Sequence, residues 1–266
     1  MSNARSPKPA RAEGAALSPE QRLAIRPSMP QPELSVEAQL IADVDGVLFV
    51  HKPAAWPTSG RDLHDPNCLQ YRLMQHYGRM VWAVHQLDAD TSGLNVFVRR
   101  KELVPRWQNE LHFPKARKEY LAIVHGRLER SLKLAEPIGR RADGSWGVAV
   151  EGKPALTLVY PVAVGEAHTL VRVQLRSGRT HQIRVHMSHA GYPLVGEFWY
   201  NDAPCTLAPR HMLHAWRTHF SRWEGASVAV VEPPQDFVAC AAGLGVAVPA
   251  TIDDTSTALS GLIARE

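Results

Sequence analysis

The sequence predicts an α+β fold in which a few helices flank a largely antiparallel mixed sheet. Short apolar segments with strand-like composition recur along most of the chain, and Gly, Pro, Asn, Asp and Ser turns separate them. Segments with clear helical spacing are few. The chain has 266 residues, of which 45% are hydrophobic, so it is long enough to bury a substantial core.

The chain begins with a polar N-terminal segment, and the first predicted strand follows it. Residues 1–36 are rich in proline and lack aromatic residues, so we expect a flexible segment, in which "SPEQRLAI" can form a short helix capped by Ser18. The apolar run "GVLFVHKP" (46–53) predicts a strand that Pro53 ends. Residues 67–78 predict a helix, because apolar residues recur at helical spacing and Gly78 stands where a C-cap belongs.

A hairpin, a helix and a series of strands are predicted next. "MVWAVHQLD" (80–88) and "GLNVFVRRK" (93–101) indicate two strands joined by a turn. A helix is expected over 101–113, with Pro105 in its first turn. Further strands are predicted at 120–128, 146–152, 155–165, 168–178, 180–191, 212–222 and 226–234. We expect one domain over 37–240 and a C-terminal extension of undefined structure over 241–266.

Composition excludes some classes of protein. No apolar run approaches the roughly 18 residues that cross a bilayer, and the first residues lack the apolar core of a secretory signal, so a cytoplasmic protein is expected. Cys68, Cys205 and Cys240 lie far apart, which favours buried thiols over a disulfide framework or a thiolate zinc site. The net charge of +4 and the pI near 9.1 suit a polyanionic partner.

The stretch "AVHQLDADTSGLNVFV" (83–98) carries the strongest chemical signal, two aspartates at positions 88 and 90 before a turn. A calcium loop that begins at Asp88 would need a glutamate where Arg99 stands, so that interpretation is rejected. A haloacid-dehalogenase-like phosphatase would use Asp88 as nucleophile and Asp90 as acid/base. It remains a remote alternative, because the chain lacks the strand–helix alternation of a parallel sheet.

The segment "HQLDADTSG" resembles the "HRLDxxTSG" signature of the RluA-type pseudouridine synthases, which convert uridine to pseudouridine in structured RNA. The rest of the chain supports this resemblance over roughly residues 43–237, with further segments in the family's order. These are "LFVHKPAAWPTSG", "RKEYLAIVHG", "GKPALTLVYPV", "LRSGRTHQIRVHMSHAGYPLVGE", and the closing "MLHAWRTHF" and "EPPQDF".

The resemblance implies the pseudouridine synthase catalytic fold and an isomerase that needs no redox cofactor, ATP or metal. It assigns catalysis to Asp88, whose carboxylate Arg184 keeps ionised, and to Tyr120, whose ring stacks on the target base. It further implies RNA-binding roles for Gln86, Thr91, Arg179, Thr180, Gln182, Lys115, Arg117 and Lys118.

A zinc site at His181, His186 and His189 is not favoured, because a strand over 180–191 would place His181 and Arg184 on opposite faces. Gln86 stands where the family usually has arginine, which leaves an inactive RNA-binding paralogue as an alternative. The first 36 residues are too short and polar for an S4 RNA-binding domain. We therefore expect a monomer that acts on ribosomal or transfer RNA through its catalytic domain.

Overall fold

The computed structural model describes residues 18–112, 116–142, 144–201, 204–220 and 228–252. The helices are α1 (Pro19–Ile25), α2 (Val36–Gln39), α3 (Leu69–Tyr77), α4 (Leu103–Glu110), α5 (Gln182–His189) and α6 (Gln235–Gly243). The strands are β1 (Leu40–Val44), β2 (Val47–Lys52), β3 (Trp82–Ala83), β4 (Ser92–Val98), β5 (Arg117–His125), β6 (Leu132–Leu134), β7 (Ile138–Arg140), β8 (Trp146–Val148), β9 (Thr157–Val164), β10 (His168–Leu175), β11 (Leu213–His219) and β12 (Val228–Val230).

One mixed sheet of ten strands organises the described residues. Its order is β1-β2-β4-β11-β5-β10-β9-β6, with β3 beside β4 and β12 beside β11, and β7 and β8 form a separate ribbon. The pairing of β4 with β11 is parallel. The other pairs within this sheet are antiparallel. The prediction of a largely antiparallel mixed sheet in an α+β fold is therefore confirmed.

The parallel pair at the centre of the sheet depends on Gly93. This residue has φ of 116°, and a Cβ there would lie 2.2 Å from the carbonyl oxygen of Ala215 on β11. Only glycine accommodates both the positive φ and the close approach of the two backbones. The loop before β4, which carries Asp88, is thereby held at the middle of the sheet.

Different helices pack on the two faces of the central strands. Tyr120, Ala122 and Val124 of β5 belong to a core cluster that also contains Ile183 and Met187 of α5. Leu121 and Ile123 point to the opposite face, where α6 packs. Helix α5 and the Tyr120 side chain therefore lie on the same face of the sheet.

The prediction of a strand over 180–191 is wrong, because most of this segment forms α5. Ile183, Val185 and Met187 alternate as strand residues would, but both sides of the helix are buried. Ile183 and Met187 pack against the sheet, whereas Val185 packs against a cluster that contains Ile138. The strand expected over 80–88 is also shorter than predicted, and only Trp82–Ala83 pairs with β4.

The other elements agree well with the sequence patterns. Helix α3 ends at Gly78, which has φ of 60° as a left-handed C-cap, and α4 contains Pro105 in its first turn. Helix α1 begins with a capping box in which Gln21 N donates to Ser18 Oγ and Ser18 N donates to Gln21 Oε1. The described residues include no helix long and apolar enough to cross a membrane.

Residues 18–36 lie against the domain, although the sequence predicts a flexible lead. Arg22 is buried and donates to the carbonyl of Phe198 at 2.8 Å, and the indole of Trp56 donates to Pro32 O at 2.9 Å. At the other end, Ala241 and Val246 are fully buried, so the extension begins as part of the core. Residues 1–17 and 253–266 lie outside the described chain, and the domain limits stay predictions.

Candidate active site

A cleft of about 660 Å³ opens on the α5 face of the sheet. Its walls come from residues 84–88, Thr91, the end of α4 with the residues after it, the start of β5, and the connection from β10 into α5. The three residues predicted to be catalytic, Asp88, Tyr120 and Arg184, all line it. Clefts of this size hold small ligands or single nucleotides, which makes this the candidate site.

The backbone around Asp88 is held at successive residues. Leu87 N donates to Thr58 Oγ1 at 3.0 Å, and Thr91 N donates to Asp88 O at 3.0 Å. Lys52 Nζ donates to Ala89 O at 2.8 Å, while Arg210 Nη1 donates to Asp90 O at 3.0 Å. Each contact removes freedom from the loop, so the Asp88 side chain leaves the backbone from a defined position.

Lys52 is the main anchor of this loop. Its ammonium is fully buried and also donates to Pro53 O at 3.0 Å and Trp56 O at 2.6 Å. Burial lowers the pKa of Lys52 to about 7, but the three carbonyl oxygens match the three hydrogens of its charged form. The Lys-Pro pair at the end of β2 therefore has a structural role that the sequence prediction did not include.

Replacement of Lys52 by methionine is expected to lower the free energy of unfolding by about 2–3 kcal/mol, because buried carbonyl oxygens would lose their donor. Urea denaturation followed by tryptophan fluorescence measures this. Lys101→Met, at an exposed lysine, is the matched control and should change stability by less than about 0.5 kcal/mol. Equal stability of the two variants would contradict the anchoring role.

Arg184 joins two carboxylates. Its Nη1 donates to Asp88 Oδ2 at 2.9 Å, and its Nε and Nη2 donate to Glu197 Oε2 and Oε1 at 2.8 and 3.0 Å. The Glu197 side chain is fully buried, whereas that of Asp88 is 25% exposed. The bidentate pair with Glu197 fixes the guanidinium plane, so that its remaining edge is aimed at Asp88.

The charges of this group reinforce one another. Burial would lower the pKa of Arg184, but Glu197 and Asp88 outweigh it and raise the pKa above its ordinary value. Burial would raise the pKa of Glu197, yet Arg184 and the backbone N–H groups of Trp199 and Tyr200 lower it. Both partners are therefore charged at neutral pH, and Asp88 meets a permanent cation.

His181 lies on the same side as Arg184, contrary to the prediction. It is the N-cap residue of α5, and its Nε2 lies 3.6 Å from Asp88 Oδ1. The prediction failed because residues three apart share a helix face but not a strand face. Among the described residues, no group of three or more His, Cys, Asp or Glu side chains is arranged to hold a metal ion.

Tyr120 forms part of both the core and the cleft. Its side chain packs in the cluster around β5, β10 and α5, and only 8% of the residue is exposed. Burial, with a further contribution from the charge of Asp88, raises the pKa of Tyr120 above its ordinary value. The hydroxyl is therefore protonated at neutral pH and can act as a hydrogen-bond donor.

The residues predicted to contact RNA differ in where the structure places them. Thr180 is exposed, Gln86 reaches Ser59 Oγ at the rim, Arg179 is held by Pro154 O, and Lys118 lines the cleft. Thr91 and Gln182 also line the cleft, but they are largely buried and bond to His211 and Thr157 respectively. Arg117 lies on the opposite face of β5, near His219. Lys115 lies outside the described residues.

Sequence reasoning missed Glu197, His181, Tyr200 and Lys52 as parts of the site. Glu197 anchors Arg184, although the motifs assign it no role. A buried carboxylate needs a cation, but the sequence does not show that Glu197 is buried or that Arg184 lies beside it. His181 and Tyr200 give no signal either, because their contact depends on how the chain returns after α5.

Comparison with known proteins agrees with this geometry. Residues 46–189 match the family described as RNA pseudouridylate synthase. The chain is 33% identical over 155 residues to an uncharacterized RNA pseudouridine synthase of Helicobacter pylori, covering 57% of this chain and 64% of that protein. It is 30% identical over 216 residues to ribosomal large subunit pseudouridine synthase D of Nitrosomonas europaea, covering 75% and 62%.

A solved structure shows the same fold. Human RNA pseudouridylate synthase domain containing 4 aligns with a TM-score of 0.66 at 22% identity, over 80% of this chain and 95% of that one. The matches to the Helicobacter and Nitrosomonas proteins span 64% and 62% of their own lengths. The residues matched by the family include Asp88, Tyr120 and Arg184.

Proposed function

The chain belongs to the RNA pseudouridylate synthase family, as its RluA-type motifs predict, and from this membership we propose that it isomerises uridine to pseudouridine in structured RNA. One observation carries the proposal. The Asp88 carboxylate faces a cleft lined by Tyr120 while Arg184, itself held by Glu197, pairs with its second oxygen. That arrangement supplies the poised carboxylate that the reaction requires.

The reaction exchanges one bond for another on the same nucleotide. The N1–C1′ bond breaks, C5 bonds to C1′, C5 loses its hydrogen as a proton, and N1 gains a proton. The uridine must first leave its stack, at a cost of about a few kcal/mol, to enter the cleft. Asp88 then acts on the nucleotide through its free oxygen, because Arg184 occupies Oδ2.

Tyr120 supports the base during this exchange. Its ring forms part of the cleft wall near Asp88, so a flipped base can stack on it while the glycosidic bond is broken. The protonated hydroxyl can donate a hydrogen bond to a carbonyl of the detached base. Arg179 and Thr180 at the rim are proposed to contact the RNA backbone.

The phosphatase alternative does not agree with the placement of Asp90. That enzyme would need Asp88 and Asp90 at one reaction centre, but the Asp90 carboxylate pairs with Arg26 of the N-terminal segment. Gln86 lies at the rim, and within the described residues its amide donates to Ser59 and makes no hydrogen bond to Asp88. The absence of the family arginine's charge at this position therefore affects RNA binding more than the chemical step.

Of the two candidate substrates, we propose ribosomal RNA in preference to transfer RNA, because the Nitrosomonas relative is named for the large ribosomal subunit. The proposal includes a monomer as the acting species and the cytoplasm as the place of action. Lys118, which lines the cleft, and the net charge of +4 provide the attraction for a polyanion.

The experiment that tests the proposal uses bulk RNA from a strain that lacks the gene. The purified protein is incubated with this RNA, and pseudouridine is mapped by primer extension after carbodiimide treatment. We expect a site that is missing in the deletion strain to return. RNA binding without any new pseudouridine would favour the inactive paralogue, and magnesium-dependent phosphate release from a generic ester would favour the phosphatase.

Replacement of Gln86 by arginine is expected to tighten RNA binding several-fold at low salt, because a cation at the rim can neutralise a phosphate. The slope of log Kd against log salt should steepen by about 0.7 to 0.9 for one added phosphate contact. Filter binding over a salt series measures both quantities. Gln86→Ala serves as the control, and an unchanged slope in Gln86→Arg would contradict the prediction.

A further inference from the structure

His181 adopts a backbone conformation that its residue type disfavours. Its φ is 54°, in the left-handed region, and only Asp45 and Ala55 share a positive φ among the non-glycine residues of the described chain. The residue caps α5, yet its side chain makes no capping hydrogen bond. Strained residues of this kind persist where the surroundings hold them, and they cluster at functional sites.

The imidazole of His181 instead connects Tyr200 with the site. Its Nδ1 is hydrogen-bonded with the hydroxyl of Tyr200, and its Nε2 lies 3.6 Å from Asp88 Oδ1, just beyond hydrogen-bond length. The carboxylate can only accept, so the hydrogen of a neutral ring belongs on Nε2. Nδ1 then accepts from Tyr200, whose hydroxyl keeps its hydrogen because burial raises its pKa to about 12.

Tyr200 is itself tied to the same charged group. Its ring lies 5.0 Å from the guanidinium carbon of Arg184, and its backbone N–H donates to Glu197 Oε1 at 3.3 Å. Arg184 holds one oxygen of Asp88 and His181 faces the other. The carboxylate therefore lies between two partners that are both oriented by residues 197–200.

We propose that His181, oriented by Tyr200, is a positioning residue that restrains Oδ1 of Asp88 during the isomerisation. This inference rests on the proposed function. With Arg184 alone, the Asp88 carboxylate can rotate about its side-chain bond and still keep one hydrogen bond. A second donor beside Oδ1 limits that rotation and keeps the reacting oxygen aimed at the nucleotide.

The decisive variant is His181→Gly. Glycine accepts φ of 54° without strain, so the variant should be at least as stable as the wild type, whereas a merely structural histidine would destabilise the fold on removal. We expect kcat to fall by about tenfold to hundredfold while KM changes by less than about twofold, since positioning acts on the chemical step. Single-turnover assays on a transcript containing the mapped uridine measure the rate.

Two further variants separate the side chain's chemistry from its shape. Asparagine also tolerates the left-handed region and offers an amide N–H, so His181→Asn should regain part of the lost rate. Tyr200→Phe keeps the ring beside Arg184 but removes the hydroxyl, and its kcat should fall between wild type and His181→Gly. His189→Ala, at the exposed end of α5, is the matched control and should retain the wild-type rate.

The pH profile gives an independent readout. His181 faces Asp88, Arg184, Glu197 and Tyr200, with the buried His211 close by. Burial lowers its pKa below the ordinary 6.5 despite the opposing charge of Asp88, so the ring is neutral at pH 7. Protonation removes the acceptor that Tyr200 uses, so wild-type kcat should fall in acid below about pH 6.5, and this limb should move to lower pH in His181→Asn.

The outcomes distinguish this inference from the proposed function. A wild-type protein that forms no pseudouridine overturns the proposed function and this inference together. An active wild type alongside a His181→Gly variant whose kcat stays within threefold overturns the inference alone. A His181→Gly variant that loses both rate and folding stability also overturns the inference. An acid limb of the pH profile that does not move in His181→Asn does so too.

Discussion

Replacement of Arg184 by methionine is expected to lower the free energy of unfolding by about 3–5 kcal/mol and to reduce activity at least a hundredfold. The variant leaves the Glu197 carboxylate, which is fully buried, without its cation. Removal of one partner of a buried ion pair is costly because the other charge stays desolvated and uncompensated. Chemical denaturation measures the stability, and the mapped-uridine assay measures the activity.

A double variant tests whether the unpaired charge causes this instability. In Arg184→Met/Glu197→Gln, the glutamine oxygen can still accept from the N–H of Trp199, but no buried charge remains. We expect the double variant to recover at least half of the lost stability and to stay inactive, because Asp88 still lacks its partner. A double variant as unstable as Arg184→Met would show that packing, and not charge, explains the loss.

Acid should affect the same pair in a defined direction. The folded-state pKa of Glu197 lies below its ordinary value of 4.5, so the unfolded chain binds its proton first as the pH falls. The contribution of Glu197 to stability is therefore complete above about pH 4.5 and is lost as the pH falls through the lower folded value. The stability difference between wild type and the double variant should shrink over that range.

Elements with a strong local signal were predicted well from the sequence. Helix α3 carries an apolar stripe and is followed by a glycine that adopts the left-handed C-cap conformation, and β2 ends directly before a proline that cannot continue the ladder. Helix α5 was not predicted, because the alternation of Ile183, Val185 and Met187 agrees with a strand as well as with a helix buried on two sides. Only the tertiary position of the segment separates the two cases.

The candidate site shows the same division. Asp88, Tyr120 and Arg184 lie within short motifs, so a resemblance was enough to bring them together before the fold was known. Glu197 and His181 reach the site through contacts with residues distant in the chain, and the error in α5 placed His181 on the wrong side. A motif therefore predicts which group reacts, whereas the groups that hold it depend on the packing of whole elements.

Replacement of Asp88 by asparagine is expected to reduce pseudouridine formation at least about 10³-fold, equivalent to about 4 kcal/mol in the barrier, with the fold intact. Asparagine keeps the size of the side chain and an oxygen that can accept from Arg184, but it is neutral and can neither attack nor remove a proton. Arg184 keeps its bidentate pair with Glu197, so stability should change by less than about 1 kcal/mol. Carbodiimide mapping and denaturation of the same preparation measure the two effects.

Asp90→Asn is the matched control, since it makes the same change two residues away. The Asp90 carboxylate pairs with Arg26 and does not line the cleft, so this variant should retain at least about a tenth of the wild-type rate. Equal losses in the two variants would mean that both carboxylates act at one centre, as the phosphatase alternative requires. A large loss confined to Asp88→Asn would instead mean that a single carboxylate performs the chemistry, while its neighbour joins the loop to the N-terminal segment.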